Sequence, residues 1–301
     1  MRDRQAAPAF VEPMLLGRGD QIPHGPEWLT QVKVDGVRGQ LRIGDGPPSL
    51  RTRHGRQCAA EFPEIIAAAG ELPDTILDGE IAVIGPDGAP DFAGVRARLG
   101  RSATSSKTAA TVRPATFFAF DVLWHQGQDL RRYPLFRRLQ VLEALGLSDA
   151  LIAVDTFPGK ASEVLAFART HHLEGAVVKR ADSIYRSGRT SSWLKFKVRH
   201  SQRLWVTAWQ PGGPGELDRY WVSRPVNGAL EPAGEVAFGL KPGQAGTLRP
   251  ILNAASLAPR RADGLLPVAP VVAMTIDSHG RTTGLLRDPI IAAIDIDPAG
   301  P

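Results

Sequence analysis

The fold of this chain is decided by a short stretch near its N-terminus, Gln31-Val32-Lys33-Val34-Asp35-Gly36-Val37-Arg38. Apolar and polar residues alternate between Trp28 and Ile43, which is the two-residue period of a half-buried β-strand. The pair Asp35-Gly36 interrupts this alternation with a strong turn signal. The stretch therefore predicts strands on either side of a turn, with Lys33 close to that turn.

Lysine is rare in this chain, which makes Lys33 informative. Of the 36 basic residues only seven are lysines. Arginine stays protonated and cannot act as a nucleophile, whereas a lysine amine can do so once its neighbours lower its pKa. Lys33 is thus a candidate covalent catalyst. The alternative interpretation is a solvated lysine beside a hairpin turn.

The predicted secondary-structure pattern changes at about residue 199. Before it, strand patterns alternate with helical ones. The predicted strands are 76–84, 116–124, 175–179 and 193–198, and the predicted helices are 63–69, 135–145 and 162–171. After it, short β-type runs separated by Pro/Gly-rich turns are typical of a small barrel or sandwich. Residues 96–113 carry five basic residues and no acid, which predicts a solvated loop or, alternatively, a phosphate-contacting arm.

Composition limits the classes of protein to consider. A chain with 43% hydrophobic and 22% charged residues is expected to be soluble and globular rather than disordered. No apolar run approaches the roughly 20 residues that cross a bilayer, and the N-terminus lacks an apolar signal core, so we expect a cytoplasmic protein without membrane contact. The lone Cys58 excludes an intrachain disulfide. The net charge of +5 suits a polyanionic partner, although compositional drift explains it equally well.

Two acids and two further lysines complete a candidate site. Glu80 and Glu174 stand inside apolar runs, where a carboxylate is costly unless it meets a cation, and hard divalent metals bind such oxygens. Lys195 and Lys197 lie two residues apart, so they share one face of a strand and can grip phosphate. We expect the opposite face, with Leu194 and Phe196, to anchor the strand in the core. Taken singly, each feature is also compatible with an ordinary solvated strand face.

Together these motifs resemble a known family. Its signature motifs occur here in order: Lys33-Val-Asp-Gly-Val-Arg38, Leu77-Asp-Gly-Glu80, Phe120-Asp-Val-Leu123, Glu174-Gly-Ala-Val-Val-Lys179 and Trp193-Leu-Lys-Phe-Lys197. Over roughly residues 10–290 the chain resembles bacterial ATP-dependent DNA ligases, both the minimal type and the ligase module of end-joining proteins. The resemblance implies an α+β fold, with an ATP-grasp-like nucleotidyltransferase (adenylation) domain at residues 1–198 and a small all-β OB-fold domain at residues 199–301.

The resemblance also implies roles for individual residues. Lys33 would attack the α-phosphate of ATP, Glu80 and Glu174 would support Mg²⁺ or Mn²⁺, and Lys195 with Lys197 would hold the phosphate. The remaining nucleotide contacts are implied to be Arg38 and Arg53 to phosphate or ribose, Phe120 (with Phe118 as the competing candidate) stacked on adenine, and Gln31 accepting from the adenine amino group.

The implied function is sealing of nicked duplex DNA in repair or end joining by a monomer, with repair or end-joining proteins as further partners. One departure from the family pattern is visible. By the resemblance, Asp295 and Pro298 occupy the positions where the family has an Arg and a Lys that orient the pyrophosphate leaving group, with Arg281 or Arg287 as candidate substitutes. This departure leaves open a catalytically impaired protein that binds DNA ends. A second alternative is an RNA ligase or capping-type nucleotidyltransferase, which shares the lysine chemistry.

Overall fold

The computed structural model describes residues 7–44, 46–86, 88–171, 173–279 and 285–301, together with the backbone of residues 281–282. The chain divides into two compact units, Met1–Val198 and Arg199–Pro301. No helix in the described part of the chain is long and apolar enough to cross a membrane.

The first unit mixes short helices and strands. Its described strands are β1 (Met14–Arg18), β2 (Trp28–Val32), β3 (Val37–Ile43), β4 (Ser49–Thr52), β5 (Thr75–Val83), β6 (Ala115–His125), β7 (Gln128–Asp129), β8 (Leu151–Ala153), β9 (Phe157–Pro158), β10 (Gly175–Arg180) and β11 (Gly188–Lys197). Its helices are α1 (Pro63–Ala69), α2 (Phe92–Arg96), α3 (Ala103–Val112), α4 (Leu135–Ala144) and α5 (Ala161–Thr170).

These strands form two sheets. The first has the order β1-β11-β10-β2-β9, and the second has the order β4-β3-β5-β6-β7 with β8 beside β6. The turn after Lys33 carries the chain from β2 in the first sheet to β3 in the second. Gly36 allows this close crossing, because a Cβ there would collide with the carbonyl oxygen of Ile81.

Each sheet contributes to a core between them. Met14 of β1 and Trp193 of β11 pack with Ile76 of β5 and Trp124 of β6 in one buried cluster. A second cluster lies on the other side of the second sheet, where α1 and α4 pack. Strand β5 is consequently buried on both faces along nearly its whole length, although Asp78 and Glu80 interrupt its apolar residues.

In its described part the second unit is a mainly antiparallel β structure with one helix. Its described elements are β12 (His200–Gln210), β13 (Arg219–Val226), β14 (Ala229–Val236), α6 (Gln244–Ala254), β15 (Leu266–Pro267), β16 (Val272–Ser278), β17 (Arg281–Thr282), β18 (Leu285–Leu286) and β19 (Ile290–Ile296). The main sheet has the order β14-β13-β12-β16-β19. Its apolar face and Leu248 and Leu252 of α6 form a separate core, consistent with a small OB-type barrel.

The prediction of a solvated loop at residues 96–113 is wrong. Arg96 ends α2, and residues 103–112 form α3. The side chain of Ser102 caps this helix by accepting from the backbone N–H of Ser105. The serine and threonine content suggested a loop, but serine is also a preferred N-cap and the alanines favour helix.

The expectation for Leu194 and Phe196 is also wrong. Both are only partly buried, whereas Trp193 is 1% exposed. Trp193 shares its strand face with Lys195 and Lys197. The core and the lysines therefore lie on the same side of β11, because that side faces the second sheet.

Candidate active site

A cavity of about 860 Å³ opens in the first unit, a volume typical of small-ligand sites. The first sheet contributes its lysines, and the second contributes Arg38, Glu80 and Phe120. The cavity brings together all nine candidate residues predicted from the sequence: Gln31, Lys33, Arg38, Arg53, Glu80, Phe120, Glu174, Lys195 and Lys197. Phe118, the competing candidate for the stacking role, does not line it.

Lys33 and Glu174 form the centre of the first wall. The backbone N–H of Lys33 donates to the carbonyl of Gly175 at 2.9 Å, which ties the end of β2 to the start of β10. The Lys33 Nζ lies 2.5 Å from Glu174 Oε2, and Lys197 Nζ lies 3.0 Å from Glu174 Oε1. Burial raises the pKa of Glu174, but the two ammonium groups outweigh this effect and hold the pKa below its usual value.

Glu80 has a different environment on the second wall. It lies on β5 in register with Arg38 of β3. Burial raises its pKa to about 8, although Lys33 and Arg38 act in the opposite direction. Within the described residues no donor is hydrogen-bonded to its carboxylate. Lys33 and Arg38 are thus near Glu80, but among the described residues neither forms an ion pair with its carboxylate.

Arg38 lies in the cavity wall, but its donors are largely engaged. It donates to both carboxylate oxygens of Asp78 at 3.0 and 2.6 Å, to the carbonyl of Met14 at 2.6 Å and to the Tyr185 hydroxyl at 3.3 Å. These bonds occupy four of the five N–H groups of a guanidinium. Burial lowers the pKa of Arg38, and the Asp78 carboxylate more than offsets this, so the guanidinium is fixed in its charged form.

The deep end of the cavity is aromatic. Phe120 and Trp193 meet edge to face with centroids 6.2 Å apart. The ammonium of Lys179 lies 4.5 Å from the Phe120 centroid and 4.2 Å from the Trp193 centroid. Its Nζ donates to Gln31 Oε1 at 2.5 Å and to the Phe120 carbonyl at 3.2 Å. Lys179 is 2% exposed, and burial lowers its pKa to about 7.

Gln31 is held firmly at this end. Its amide Nε2 donates to Thr156 Oγ1 at 2.9 Å and its Oε1 accepts from Lys179. The bond to Lys179 directs the Gln31 oxygen toward that ammonium group. One lone pair of the oxygen is thereby in use, and the other remains for a ligand.

The mouth of the cavity is cationic. Lys195 has a lowered pKa because of partial burial and because Lys197, Lys33, Arg18 and Arg189 all surround it with positive charge. Such crowding of cations around one amine raises the electrostatic energy of the site until an anion enters. Arg53 and His54 reach the rim from the turn that follows β4.

Sequence reasoning overlooked several lining residues. Lys179 and Trp193 were quoted as parts of motifs but received no role in the site, and Arg96 and Arg189 line the cavity as well. The strand periodicity contained a signal for two of them. Trp193 lies two residues before Lys195 and therefore on the same face, and Lys179 directly opposes Trp193 in the β10–β11 register.

The fold and this cavity define the class of the protein, a nucleotidyltransferase-type domain followed by an OB-type domain. The chain belongs to the ATP-dependent DNA ligase domain family, whose sequence model matches residues 13–197.

Relatives and solved structures agree with this membership. The chain is 33% identical to the multifunctional non-homologous end joining protein LigD of Mycolicibacterium smegmatis over 220 residues, which cover 71% of this chain and 27% of that protein. It is 35% identical to a probable DNA ligase of Beutenbergia cavernae over 219 residues, 71% of this chain and 42% of that one. The chain thus spans less than half the length of these curated relatives.

Among solved structures, mycobacterial DNA ligase D complexed with ATP and MES is similar to this chain with a TM-score of 0.58 and 29% identity. The likeness covers 95% of this chain and 96% of that one. The ligase domain of Mycobacterium tuberculosis LigD gives a TM-score of 0.57 at 27% identity, with 95% of both chains covered. The likeness to these structures extends over both units.

Proposed function

We propose that this chain seals nicks in duplex DNA through a lysyl-AMP intermediate. The Lys33 amine attacks the α-phosphate of ATP, forming a phosphoramidate and releasing pyrophosphate. The AMP then passes to the 5′-phosphate at a nick, and the 3′-hydroxyl displaces AMP to join the strand. The observation that carries this proposal is the position of the Lys33 Nζ, which Glu174 fixes in a cavity that other lysines and arginines also line.

Glu174 controls the nucleophile in this proposal. Its carboxylate holds the Lys33 Nζ in an ion pair, and an amine attacks phosphorus only through a free lone pair. Lys197 shares the same carboxylate. When Glu174 gains another cationic partner, Lys33 is released to face the phosphate. The lysines that remain, Lys195 and Lys197, then stabilise the negative charge that develops on the α-phosphate.

Glu80 and Glu174 fit a divalent cation. In the described residues no group of three or more His, Cys, Asp or Glu side chains could hold a metal by itself. A pair of carboxylates combined with substrate phosphates is, however, the usual arrangement for Mg²⁺. The raised pKa of Glu80 reflects a buried carboxylate whose charge such an ion would stabilise. Bound Mg²⁺ or Mn²⁺ would neutralise charge on the transferring phosphate.

The aromatic end of the cavity suits the base. Phe120 is placed to stack on adenine, with Trp193 at its edge. The free lone pair of Gln31 Oε1 can accept from the adenine amino group. Guanine carries an oxygen at the corresponding position, which would face this acceptor unfavourably, so the arrangement favours ATP over GTP. Arg53 at the rim is the candidate for ribose or phosphate contact.

The biological setting we propose is end joining or another form of DNA repair in the cytoplasm, with nicked duplex DNA as the substrate. Its support is the relationship to LigD proteins, whose names include non-homologous end joining. This chain corresponds to about a quarter to a third of their length. Repair partners and a monomeric state remain predictions of the sequence.

Lysine labelling tests the central step. With α-³²P-ATP and Mg²⁺ or Mn²⁺, the wild-type chain should acquire covalent label and Lys33→Ala should acquire none. Lys241→Ala, which removes an exposed lysine of the second unit, should label like wild type. Sealing from ATP by Lys33→Ala would refute the mechanism.

The same assay separates the alternatives. GTP labelling would favour a capping-type enzyme, and preference for nicked RNA over nicked DNA or a hybrid would favour an RNA ligase. An absence of label with either metal, combined with failure to seal pre-adenylated nicks, would indicate an impaired protein that only binds DNA ends.

A further inference from the structure

Helix α2 also lines the cavity, with an aromatic residue and an arginine. It packs on β5 and β3 of the second sheet, and Phe92 and Arg96 line the cavity from there. The three lysines proposed to face ATP come instead from the first sheet. Lys195 and Lys197 lie on β11, and Lys33 directly follows β2. Arg96 therefore reaches the cavity from an element that carries none of the catalytic lysines.

Arg96 differs from the arginines that follow it. The guanidinium of Arg98 is buried and donates to the carbonyl of Glu61 and to Glu64. Arg113 is paired with Asp91 at 2.7 Å, and the Nε of Arg101 donates to the carbonyl of Ala97. These three side chains are thus partly or fully committed to the protein.

The guanidinium of Arg96 lies over the Phe92 ring, 5.8 Å from its centroid. Within the described part of the chain no carboxylate is paired with it, and Arg96 is exposed. A guanidinium that lies over an aromatic ring still has N–H groups available for an anion. An edge presenting parallel N–H donors matches the two free oxygens of a phosphodiester.

We infer that Arg96, supported by Phe92, binds a backbone phosphate of the nicked DNA. This inference rests on the proposed function. ATP is a poorer fit for this position because the lysines of the first sheet already face its phosphates. A DNA strand entering the cavity to present its 5′-phosphate must in contrast extend beyond the nucleotide, and α2 provides a cation beside an aromatic ring for that extension.

Arg96→Gln tests the inference by separating the DNA steps from the ATP step. Binding to nicked DNA is measured without metal, because the nick is then not sealed during the measurement. Under this condition we expect the affinity for the nick to fall at least tenfold. The slope of log Kd against log salt should decrease by about one, since one phosphate contact is lost. With metal and ATP, the loss in nick sealing should exceed the loss in Lys33 labelling by at least tenfold.

Two further variants sharpen the result. Arg101 is an exposed arginine of the same segment, but it lines a different groove. The variant Arg101→Gln should therefore keep the wild-type nick affinity and salt slope within twofold. Arg96→Lys retains the charge without the planar fork, so it should keep the wild-type slope and recover part of the affinity.

Wild-type nick affinity and slope in Arg96→Gln would overturn the inference. Labelling that falls as much as sealing would overturn it as well, because Arg96 would then serve ATP. Failure of the wild-type chain to label Lys33 would instead refute the proposed function, and this is measured before any Arg96 variant is made.

Discussion

Lys179 is the residue whose environment departs most from what its sequence position suggests. It follows the apolar residues of β10 as the last residue but one of that strand. Its ammonium is enclosed between two aromatic rings. Removing an ammonium from water is unfavourable, and this burial lowers the pKa of Lys179 to about 7, against the opposing influence of Asp121 and Asp78. The buried lysine therefore makes folding depend on pH.

We predict a specific pH dependence from Lys179. Its pKa is about 7 in the folded chain and about 10.4 in an unfolded one. Between these values the unfolded state binds more protons, so the free energy of unfolding rises with pH. The penalty for the buried charge is complete below pH 7 and disappears above about pH 10.4.

Urea unfolding of wild type and Lys179→Met at pH 7.5 and 9.5 measures this effect. The rise in the free energy of unfolding between these pH values should be greater in wild type by about 2 kcal/mol. Lys107→Met, which replaces an exposed lysine, should behave like wild type. Parallel pH profiles for wild type and Lys179→Met would contradict the prediction.

At the scale of elements, the Tyr185 hydroxyl is one of the groups that connect the two sheets. The backbone N–H of Met14, in β1, donates to the Tyr185 hydroxyl at 3.1 Å. That hydroxyl donates to Asp78 of β5 at 2.6 Å, and Asp78 in turn holds Arg38 of β3. The network places Arg38 in the cavity wall, so we interpret Arg38 as a residue that holds the wall together rather than one that moves to the phosphate.

Tyr185→Phe should weaken this connection. The substitution leaves the buried Met14 N–H without its acceptor and removes one donor of Asp78, which keeps its two bonds from Arg38. A loss of about 1–3 kcal/mol in the free energy of unfolding is expected, measured by urea titration. The matched control is Tyr133→Phe, since Tyr133 is 41% exposed and its hydroxyl accepts from Gln128 at the surface. Equal small losses in both variants would argue against the network.

At the scale of the whole molecule, positive charge is distributed unevenly. The second unit has ten basic and nine acidic residues, so most of the net charge of +5 belongs to the first. In the second unit Asp295 and Asp297 both pair with Arg203, at 2.6 and 3.3 Å. Two carboxylates that pair with Arg203 thus occupy the stretch where the family resemblance implies an Arg and a Lys for the pyrophosphate. Pro298 supplies no charge.

We predict that this charge pattern slows the first chemical step. Pyrophosphate leaves during attack on ATP but takes no part in joining a pre-adenylated nick. Single-turnover labelling of Lys33 by ATP should therefore be at least tenfold slower than sealing of a nick that already carries a 5′-adenylate, with ATP omitted from the second reaction. Labelling as fast as sealing would mean that other cations serve the leaving group.

Much of the fold could be predicted because it depends on local patterns. The helix 63–69 follows from a proline at its start and Gly70 after its end, and the structure confirms it. The strand around residue 80 follows from an apolar run. Helix α6 was missed because Pro250 lies within it, and a proline normally argues against a helix interior.

The candidate site was predicted in part for a different reason. Residues within one motif, such as Lys195 and Lys197, have a fixed spacing on one strand, so their common face is a local property. Contacts between motifs carry no such signal. The bond from Lys33 to Glu174 spans 141 positions and that from Lys179 to Gln31 spans 148, and only the folded chain brings these groups within hydrogen-bonding distance.

The sequence by itself determined the family, the order of its motifs and which residue types could carry the chemistry. Covalent chemistry needs a lysine and phosphate needs cations, and both are properties of single residues. The tertiary structure decided which residues share a cavity, that Arg38 is committed to Asp78, that Lys179 is buried between two rings and that Arg96 faces the cavity. The physical reason is that burial and hydrogen bonding depend on neighbours from distant parts of the chain, and these neighbours exist only after the two sheets have packed together.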